Sequence, residues 1–256
     1  MTHYMNLVPS AFKKIANGDK TIELRLNDEK RKRINVGDTV GFNCNENNDI
    51  ITAKVKQLHK FADFKSLYNA LPLDKCGYAE SGLHTAHHTD MEQYYSTEKI
   101  KKYGALGIEL CDVYSICDVK DELTNEDILK LLAPSVFNPA PERLLSRAEK
   151  YQADDKVKVY AYSENGEHKG IIAVKLNEQT AEILGIAVKP EYQGKGICSM
   201  LIDYIFSKFA VSKITAETDD DAIGFYKKYG FTVTDTKVNH DTKRYVCEYP
   251  RKLNNT

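Results

Sequence analysis

In the N-terminal part of the chain, apolar residues recur at every second position in several short runs. Ile22, Leu24 and Leu26 alternate with Glu23 and Arg25, which is the pattern of a half-buried strand. Further short runs of strand character lie at residues 36–42, 50–56 and 105–110. Several short strands with few helices predict a small β-barrel.

After about residue 115 the pattern changes, and helical spacing begins to alternate with strand runs. Helices are predicted over residues 124–132, 142–151, 197–206 and 219–229. Strands are predicted over residues 157–162, 170–175, 181–188, 214–216, 231–233 and 244–248. This order predicts a mixed α/β sheet with flanking helices. The chain as a whole is predicted to be an α+β protein with two domains, residues 1–115 and 116–256.

One turn of the second domain has a composition suited to anion binding. The apolar strand Ile183–Val188 leads into a turn with Gly194 and Gly196, and the amphipathic helix Ile197–Phe206 follows. Glycine lets the backbone bend tightly and approach a ligand closely. The first amides of the helix lack intrahelical acceptors and carry the positive end of its dipole. The turn is therefore predicted to bind a phosphate group.

Composition and charge exclude several classes of protein. The 256 residues have a net charge of −1, so no global field attracts nucleic acid or an anionic membrane, and such a contact needs a local patch. No apolar run approaches the roughly 20 residues of a membrane span. The six cysteines contain no CxxC pair, and the N terminus does not resemble a signal peptide. We expect reduced thiols, a cytoplasmic location and no membrane partner.

Two groups of residues in the first domain are candidate sites. Lys20, Glu23 and Arg25 lie within one strand's reach and could bind a polar ligand, or could form a solvated, charge-paired strand face. Cys76 and the nearby histidines 84, 87 and 88 are residue types that bind metals, but their spacing fits no zinc pattern. No metal ion is therefore expected.

The segment Gly18-Asp-Lys20-Thr-Ile-Glu23-Leu-Arg25 has the form G-x-K-x-x-E-x-R. In this it resembles the ASCH domain, a PUA-like β-barrel, over about residues 5–112. The resemblance implies that Lys20, Glu23 and Arg25 bind RNA or a modified nucleoside. One branch of the family hydrolyses N4-acetylcytidine with the lysine that matches Lys20, but that branch has threonine where this chain has Glu23.

Two segments of the second domain resemble the GNAT acetyltransferase family, over about residues 115–250. Gln193-Gly-Lys-Gly-Ile-Cys198 has the form Q/R-x-x-G-x-G/A, with Cys198 where glycine or alanine is usual. The later segment from Asp219 to Phe231 matches the second signature, with Asp219 in place of the common asparagine.

The GNAT resemblance implies acetyl-CoA as the acetyl donor and an amine, on a small molecule or a peptide, as the acceptor. The implied cofactor-binding residues are Ile186, Val188, Gln193, Gly194, Lys195, Gly196, Ile197, Cys198 and Asp219. Tyr226 matches the usual general acid, although a tyrosine on an apolar helix face could also belong to the core. Glu182 is the candidate general base, acting through water, and could equally be a solvent-facing strand residue.

Three functions follow from the two resemblances. The leading expectation is direct acetyl transfer to an amine, with the ASCH domain binding RNA or a nucleoside-like ligand. In the second, the ASCH domain binds RNA and the GNAT domain senses acetyl-CoA without turnover. In the third, the ASCH domain is an amidohydrolase for N4-acetylcytidine. The acceptor and the oligomeric state are left open by the sequence.

Overall fold

The computed structural model describes residues 1–46, 49–136, 139–239 and 242–251. Their contacts divide the chain into two compact units. The first comprises Met1–Ser115 and Ser163–Glu167, and the second comprises Ile116–Tyr162 and the residues from His168 onward. The domain boundary drawn between residues 115 and 116 from the sequence stays a prediction. None of the described helices is both long enough and apolar enough to cross a membrane.

The first unit has strands β1 Thr2–Leu7, β2 Ile22–Leu26, β3 Thr39–Cys44, β4 Ile50–Phe61 and β5 Ala105–Asp118, and helices α1 Pro9–Ala16, α2 Phe64–Ala70 and α3 Thr97–Tyr103. The strands pair in the order β1-β3-β4-β5, and β2 pairs with β5. The β1–β3 pair is parallel, and the β3–β4, β4–β5 and β2–β5 pairs are antiparallel. The pairs between described residues do not join β1 to β2, so a closed barrel stays a prediction.

Strand β1 was not expected from the sequence. Only Met5 and Leu7 of its six residues are buried, so the hydrophobic alternation is too short to stand out. The strand is instead held by parallel pairing with β3, a contact between residues nearly 40 positions apart. In α2, Phe64 and Leu67 are fully buried, as the helical spacing predicts for core residues.

The second unit has helices α4 Glu126–Leu132, α5 Pro141–Ala153, α6 Ile197–Lys208 and α7 Ile223–Tyr229, and strands β6 Val157–Glu164, β7 Glu167–Asn177, β8 Thr180–Val188, β9 Lys213–Thr218, β10 Thr232–Asn239 and β11 Thr242–Pro250. The strands follow the order β6-β7-β8-β9-β11-β10. The β8–β9 pair is parallel, and the β7–β8, β9–β11 and β10–β11 pairs are antiparallel. This is the mixed sheet that the sequence predicts.

Helices cover both faces of this sheet. Along β7, Ile171 and Ala173 pack in the cluster formed with α4 and α5, whereas Ile172 and Val174 pack in the cluster formed with α6 and α7. Successive side chains of a strand point to opposite faces, so a nearly continuous apolar run is needed where both faces are buried. This explains the run of apolar residues in β7.

Candidate functional site

Strands β8 and β9 pair over only part of their length. Their parallel register runs from Thr180 to Ile183 of β8, opposite Lys213–Ala216 of β9. Beyond Ile183, β8 keeps its pairing with β7 up to Val188. Within the described residues, no strand pairs with the other edge of β8 over this second half. The backbone groups there are therefore available to an extended ligand.

An irregularity in β8 marks the point of divergence. The register against β7 shifts between Ala173 and Val174, so that Leu184 is an extra residue on β8. The backbone carbonyl of Leu184 accepts a hydrogen bond of 3.4 Å from the Tyr151 hydroxyl. A bulge of this kind bends a strand and re-aims its backbone groups. It therefore accounts locally for the separation of β8 from β9.

The glycine turn joins the free end of β8 to α6. Gly194 and Gly196 have φ values of 75° and 81°, in the left-handed region that favours glycine. A Cβ at either position would meet no atom within 4 Å, so the backbone conformation, not lack of space, requires glycine here. Gln193 crosses the turn and donates a 3.3 Å hydrogen bond to the carbonyl of Val188.

The N-terminus of α6 is suited to an anion. Its N-cap is Gly196, with no side-chain hydrogen bond to the helix, and its first turn has no acidic residue. The first amides therefore keep their capacity to bind a ligand oxygen. Lys195 and Lys169 add positive charge beside Tyr192, which directly precedes the turn. Their Nζ atoms lie 4.4 and 4.2 Å from the ring centroid of Tyr192. The divergent strand, the glycine turn and the uncapped helix together offer free backbone groups and positive charge to an anionic ligand.

Tyr226 lies on α7 and is 5% exposed. Its ring contacts Phe225 and Phe231 with edge-to-face geometry, at centroid distances of 5.2 and 5.1 Å. Burial raises the pKa of its hydroxyl above the usual value of 10, and nearby Cys198 adds to this. The pKa of a free phenol lies within about two units of the pKa of a thiol, and burial of Tyr226 increases this difference in the folded protein. Tyr226 stays protonated throughout the neutral range, as a proton donor must.

Cys198 lies in the first turn of α6 and is half-buried. Burial raises the pKa of its thiol to about 11, so the neutral thiol dominates at neutral pH. A neutral thiol is a poor nucleophile.

Asp219 has structural partners in addition to its predicted contact with the cofactor. Arg244 donates a 3.1 Å hydrogen bond to its carboxylate, and the amide of Ala222 donates one of 3.4 Å. The helix predicted to begin at Asp219 begins instead at Ile223, because Asp219 stands before the helix and binds its leading residues. A role of Asp219 in cofactor binding stays a prediction.

Glu182 is exposed on β8, opposite Lys175 of β7 and Thr215 of β9. It lies in the half of β8 that still pairs with β9, one residue before the divergence begins. The assignment of Glu182 as a general base that acts through water stays a prediction.

In the first unit, Lys20, Glu23 and Arg25 form a compact ion triad. Glu23 is 4% exposed, and its two carboxylate oxygens lie 2.8 Å from Lys20 Nζ and 2.8 Å from Arg25 Nε. Arg25 also donates a 2.8 Å hydrogen bond to the carbonyl of Asn6. The triad is therefore charge-paired but not solvated, which overturns the interpretation as an open strand face. Tertiary packing over β2 provides the burial.

The surroundings of Arg25 shift the pKa of its guanidinium in two opposite directions. Burial alone lowers the pKa of the guanidinium, but the Glu23 carboxylate and the Tyr95 hydroxyl outweigh this and raise the pKa above its usual value. Arg25 thus keeps its charge in a poorly solvated place.

The triad lines a cavity of about 470 Å³ in the first unit. The cavity lining also includes four tyrosines, a buried cysteine and an aspartate: Tyr68, Tyr78, Tyr94, Tyr95, Cys76 and Asp90. The hydroxyls of Tyr68 and Tyr78 lie 2.6 Å apart, and Tyr78 donates a 2.8 Å hydrogen bond to Asp90. The cavity has the size of a small-molecule site and carries ordered polar groups on its wall.

Cys76 and the nearby histidines have separate local roles in the structure. Cys76 lines the cavity, and burial raises its thiol pKa to about 11. His87 caps the short helix His88–Gln93 through a contact with Thr89. Among the described residues, no group of three or more His, Cys, Asp and Glu side chains could hold a metal ion.

Comparison with known families agrees with this geometry. The model of the Acetyltransferase (GNAT) family matches residues 125–231, and that of the ASCH domain matches residues 5–113. The chain therefore has an ASCH domain followed by a domain of the GNAT acetyltransferase family. No curated protein matches the chain.

Several solved structures resemble parts of the chain. The ribosomal-protein-S18-alanine N-acetyltransferase from Escherichia coli is 16% identical, covers 56% of this chain and 98% of its own, and has a TM-score of 0.46. A GNAT family acetyltransferase from Elizabethkingia anophelis with acetyl-CoA bound is 20% identical, with coverages of 54% and 98% and a TM-score of 0.42. A hypothetical protein is 31% identical, with coverages of 43% and 97% and a TM-score of 0.35.

Some residues at the two sites were not found from the sequence. Tyr151 lies on α5, and its contact with the Leu184 carbonyl spans 33 positions. The pair Lys169 and Tyr192 meets only because β7 runs beside the glycine turn. Periodicity assigns such residues to a face of an element but not to a partner on another element.

Proposed function

We propose that the chain transfers an acetyl group from acetyl-CoA directly to an amine on a small molecule or a peptide. The observation that carries this proposal is the free edge of β8 beyond Ile183, which leads into the glycine turn and the uncapped N-terminus of α6. In this proposal the backbone of Ile186 and Val188 pairs with the pantetheine arm of the donor. The amides from Gln193 to Cys198 hold its diphosphate.

Acetyl-CoA supplies an activated thioester, and the chain's own residues supply proton transfer. Glu182 removes a proton from the acceptor through water, so that the amine attacks in its neutral form. As the nitrogen–carbon bond forms and the carbon–sulfur bond breaks, Tyr226 would give its proton to the departing thiolate, and the proton that the acetylated nitrogen loses would return to Tyr226 through water. Tyr226 is protonated at neutral pH, as this role requires, but its raised pKa makes it a weaker acid than a free phenol.

The test separates binding from turnover. Isothermal titration with acetyl-CoA should give one site per chain, and a panel of polyamines, aminoglycosides and free peptide N-termini should then release CoA thiol. Binding without CoA release from any amine would favour the alternative in which the domain senses acetyl-CoA. Absence of binding would overturn the proposal.

We further propose that the first unit binds RNA or a nucleoside-like ligand in the cavity lined by Lys20, Glu23 and Arg25. The buried triad supports this, because charges held this far from water are retained at a cost in desolvation that a purely structural face does not require. Direct titration of the full chain with nucleosides and short oligoribonucleotides tests it. Lack of binding by all of them would contradict it.

The hydrolase alternative is less well supported by the triad. The Glu23 carboxylate lies 2.8 Å from Lys20 Nζ, at the position where the hydrolysing branch has threonine, so Lys20 already has an anionic partner. We therefore favour binding over hydrolysis. If the wild-type chain deacetylated N4-acetylcytidine and the Lys20→Ala variant did not, this conclusion would be reversed.

The cytoplasmic location expected from the sequence stays a prediction.

A further inference from the structure

The cavity of the first unit carries more positive than negative charge. Its described lining includes three cations, Lys14, Lys20 and Arg25, and two carboxylates, Glu23 and Asp90. Glu23 is occupied by two of these cations, and Asp90 accepts hydrogen bonds from the Tyr78 hydroxyl and the His87 amide. One positive charge is thus left in excess in a partly enclosed space, where an anionic ligand group gains most.

The N-terminus of α1 opens onto the same cavity. Val8, Ser10 and Ala11 belong to the lining, and they are the N-cap and part of the first turn of α1. Val8 provides no side-chain cap, Pro9 has no amide proton, and the first turn has no acidic residue. The amides of Ser10 and Ala11 therefore have no acceptor within the helix and present the positive end of its dipole.

The cavity also presents flat apolar surface. Tyr94 is 56% exposed although it lines the cavity, and Met91 and Tyr95 lie in the same wall. An exposed tyrosine face stacks well on a planar aromatic ring. The wall thus combines an aromatic platform with a cationic, amide-bearing end.

We propose that this cavity takes a small ligand with a phosphate group attached to an aromatic base through a short link, as in a nucleoside monophosphate. The phosphate lies at the N-terminus of α1 near Lys20 and Arg25, and the base stacks on Tyr94. This inference rests on the ligand-binding function proposed above for the first unit, and it adds the phosphate subsite and its location.

The test compares each nucleoside with its 5′-monophosphate on the full chain. Isothermal titration should show cytidine or adenosine monophosphate binding about tenfold or more tightly than the nucleoside, the gain expected of charge-assisted hydrogen bonds. Inorganic phosphate should compete with the monophosphate. The preference should decrease as salt is raised.

Ser10→Asp locates the subsite. It places a carboxylate in the first turn of α1, which suits the helix dipole and so preserves folding, but it repels a phosphate there. We expect the tenfold preference for the monophosphate to disappear. Thr97→Asp adds the same charge at the first residue of α3, which does not line the cavity, and should keep the preference.

The outcomes separate this inference from the function on which it rests. Equal affinity for nucleoside and monophosphate would overturn the phosphate subsite and leave nucleoside binding intact. A preference that survives Ser10→Asp would overturn its location. Binding of an oligoribonucleotide but of no mononucleotide would overturn the inference in favour of RNA. Binding of none of these would overturn both proposals.

Discussion

The two units use different parts of the chain to build their candidate sites. In the first unit the polar groups are side chains, held in a buried triad around Glu23. In the second unit they are mainly backbone groups, exposed where β8 leaves β9 and where the turn reaches α6. A side-chain site depends on each residue's chemistry, whereas a backbone site depends on conformation. Substitutions should therefore act differently in the two units.

The largest effect is expected for Glu23→Gln, which removes the negative charge shared by Lys20 and Arg25. Two cations would remain in a buried place without their counter-ion, at a cost of about 3 kcal/mol in the free energy of unfolding. Native-state hydrogen exchange of the β2 and β5 amides measures this within the first unit.

Glu109→Gln is the matched control for Glu23→Gln. Glu109 also has two partners, Lys56 and His59, but its side chain is 20% exposed and that of Lys56 is 60% exposed. Solvent screening should limit its effect to below about 1 kcal/mol. Equal effects of the two substitutions would show that burial does not distinguish the triad.

Tyr226→Phe tests the side chain proposed as the proton donor of the second site. Loss of the proton donor should lower kcat by about 100-fold while the affinity for acetyl-CoA changes little. The rate of CoA thiol release with the best amine of the panel measures it. Tyr229→Phe is the control. Tyr229 lies on the same helix, but its hydroxyl donates a hydrogen bond to Asp203 of α6 and has no proposed role in the reaction. Unchanged turnover in Tyr226→Phe would remove Tyr226 from the mechanism.

Gly196→Ala tests whether conformation controls the second site. Alanine at a φ of 81° is strained by about 1 kcal/mol, so the affinity for acetyl-CoA should fall about fivefold. Titration with acetyl-CoA measures the change. Gly224→Ala in α7 should have no such effect, since an added Cβ meets nothing within 4 Å and the backbone there is helical. A loss of affinity in both variants would point to a general effect on folding.

The smallest effect is expected for Cys198→Ala, which should leave turnover nearly unchanged. Because the thiol pKa is raised to about 11, only about one molecule in a thousand carries the thiolate at pH 8. Alkylation of Cys198 by iodoacetamide should accordingly rise about tenfold per pH unit between pH 8 and 10. A rate that is already at its plateau at pH 8 would mean a reactive thiolate and reopen a nucleophilic role.

Much of the second unit follows from local sequence. The sequence predicts the strand over residues 170–175 and a tight glycine turn at Gly194 and Gly196, and the structure has strand β7 and left-handed backbone at these two glycines. These features depend on residues adjacent in the chain, so periodicity and conformational preference are sufficient to find them. The start of α7 was misplaced because Asp219 binds the leading residues of that helix from outside it.

The first unit was harder to predict. Strand β1 has only two buried residues, and its place is fixed by pairing with β3. The burial of Glu23 also could not be inferred, because alternation assigned it to the polar face of β2. Which polar face is covered depends on the elements that pack over it, and these come from distant parts of the chain.

The sequence by itself determined the two families, the glycine turn and the residues of the triad, because each is recognised from residues close together in the chain. Only the tertiary structure decided that the triad is buried beside a cavity and that β8 parts from β9 after Ile183. Both depend on contacts between distant segments: the cover over β2, and the bulge at Leu184 held by Tyr151. Local propensity specifies elements, and packing between them specifies which groups remain available to a ligand.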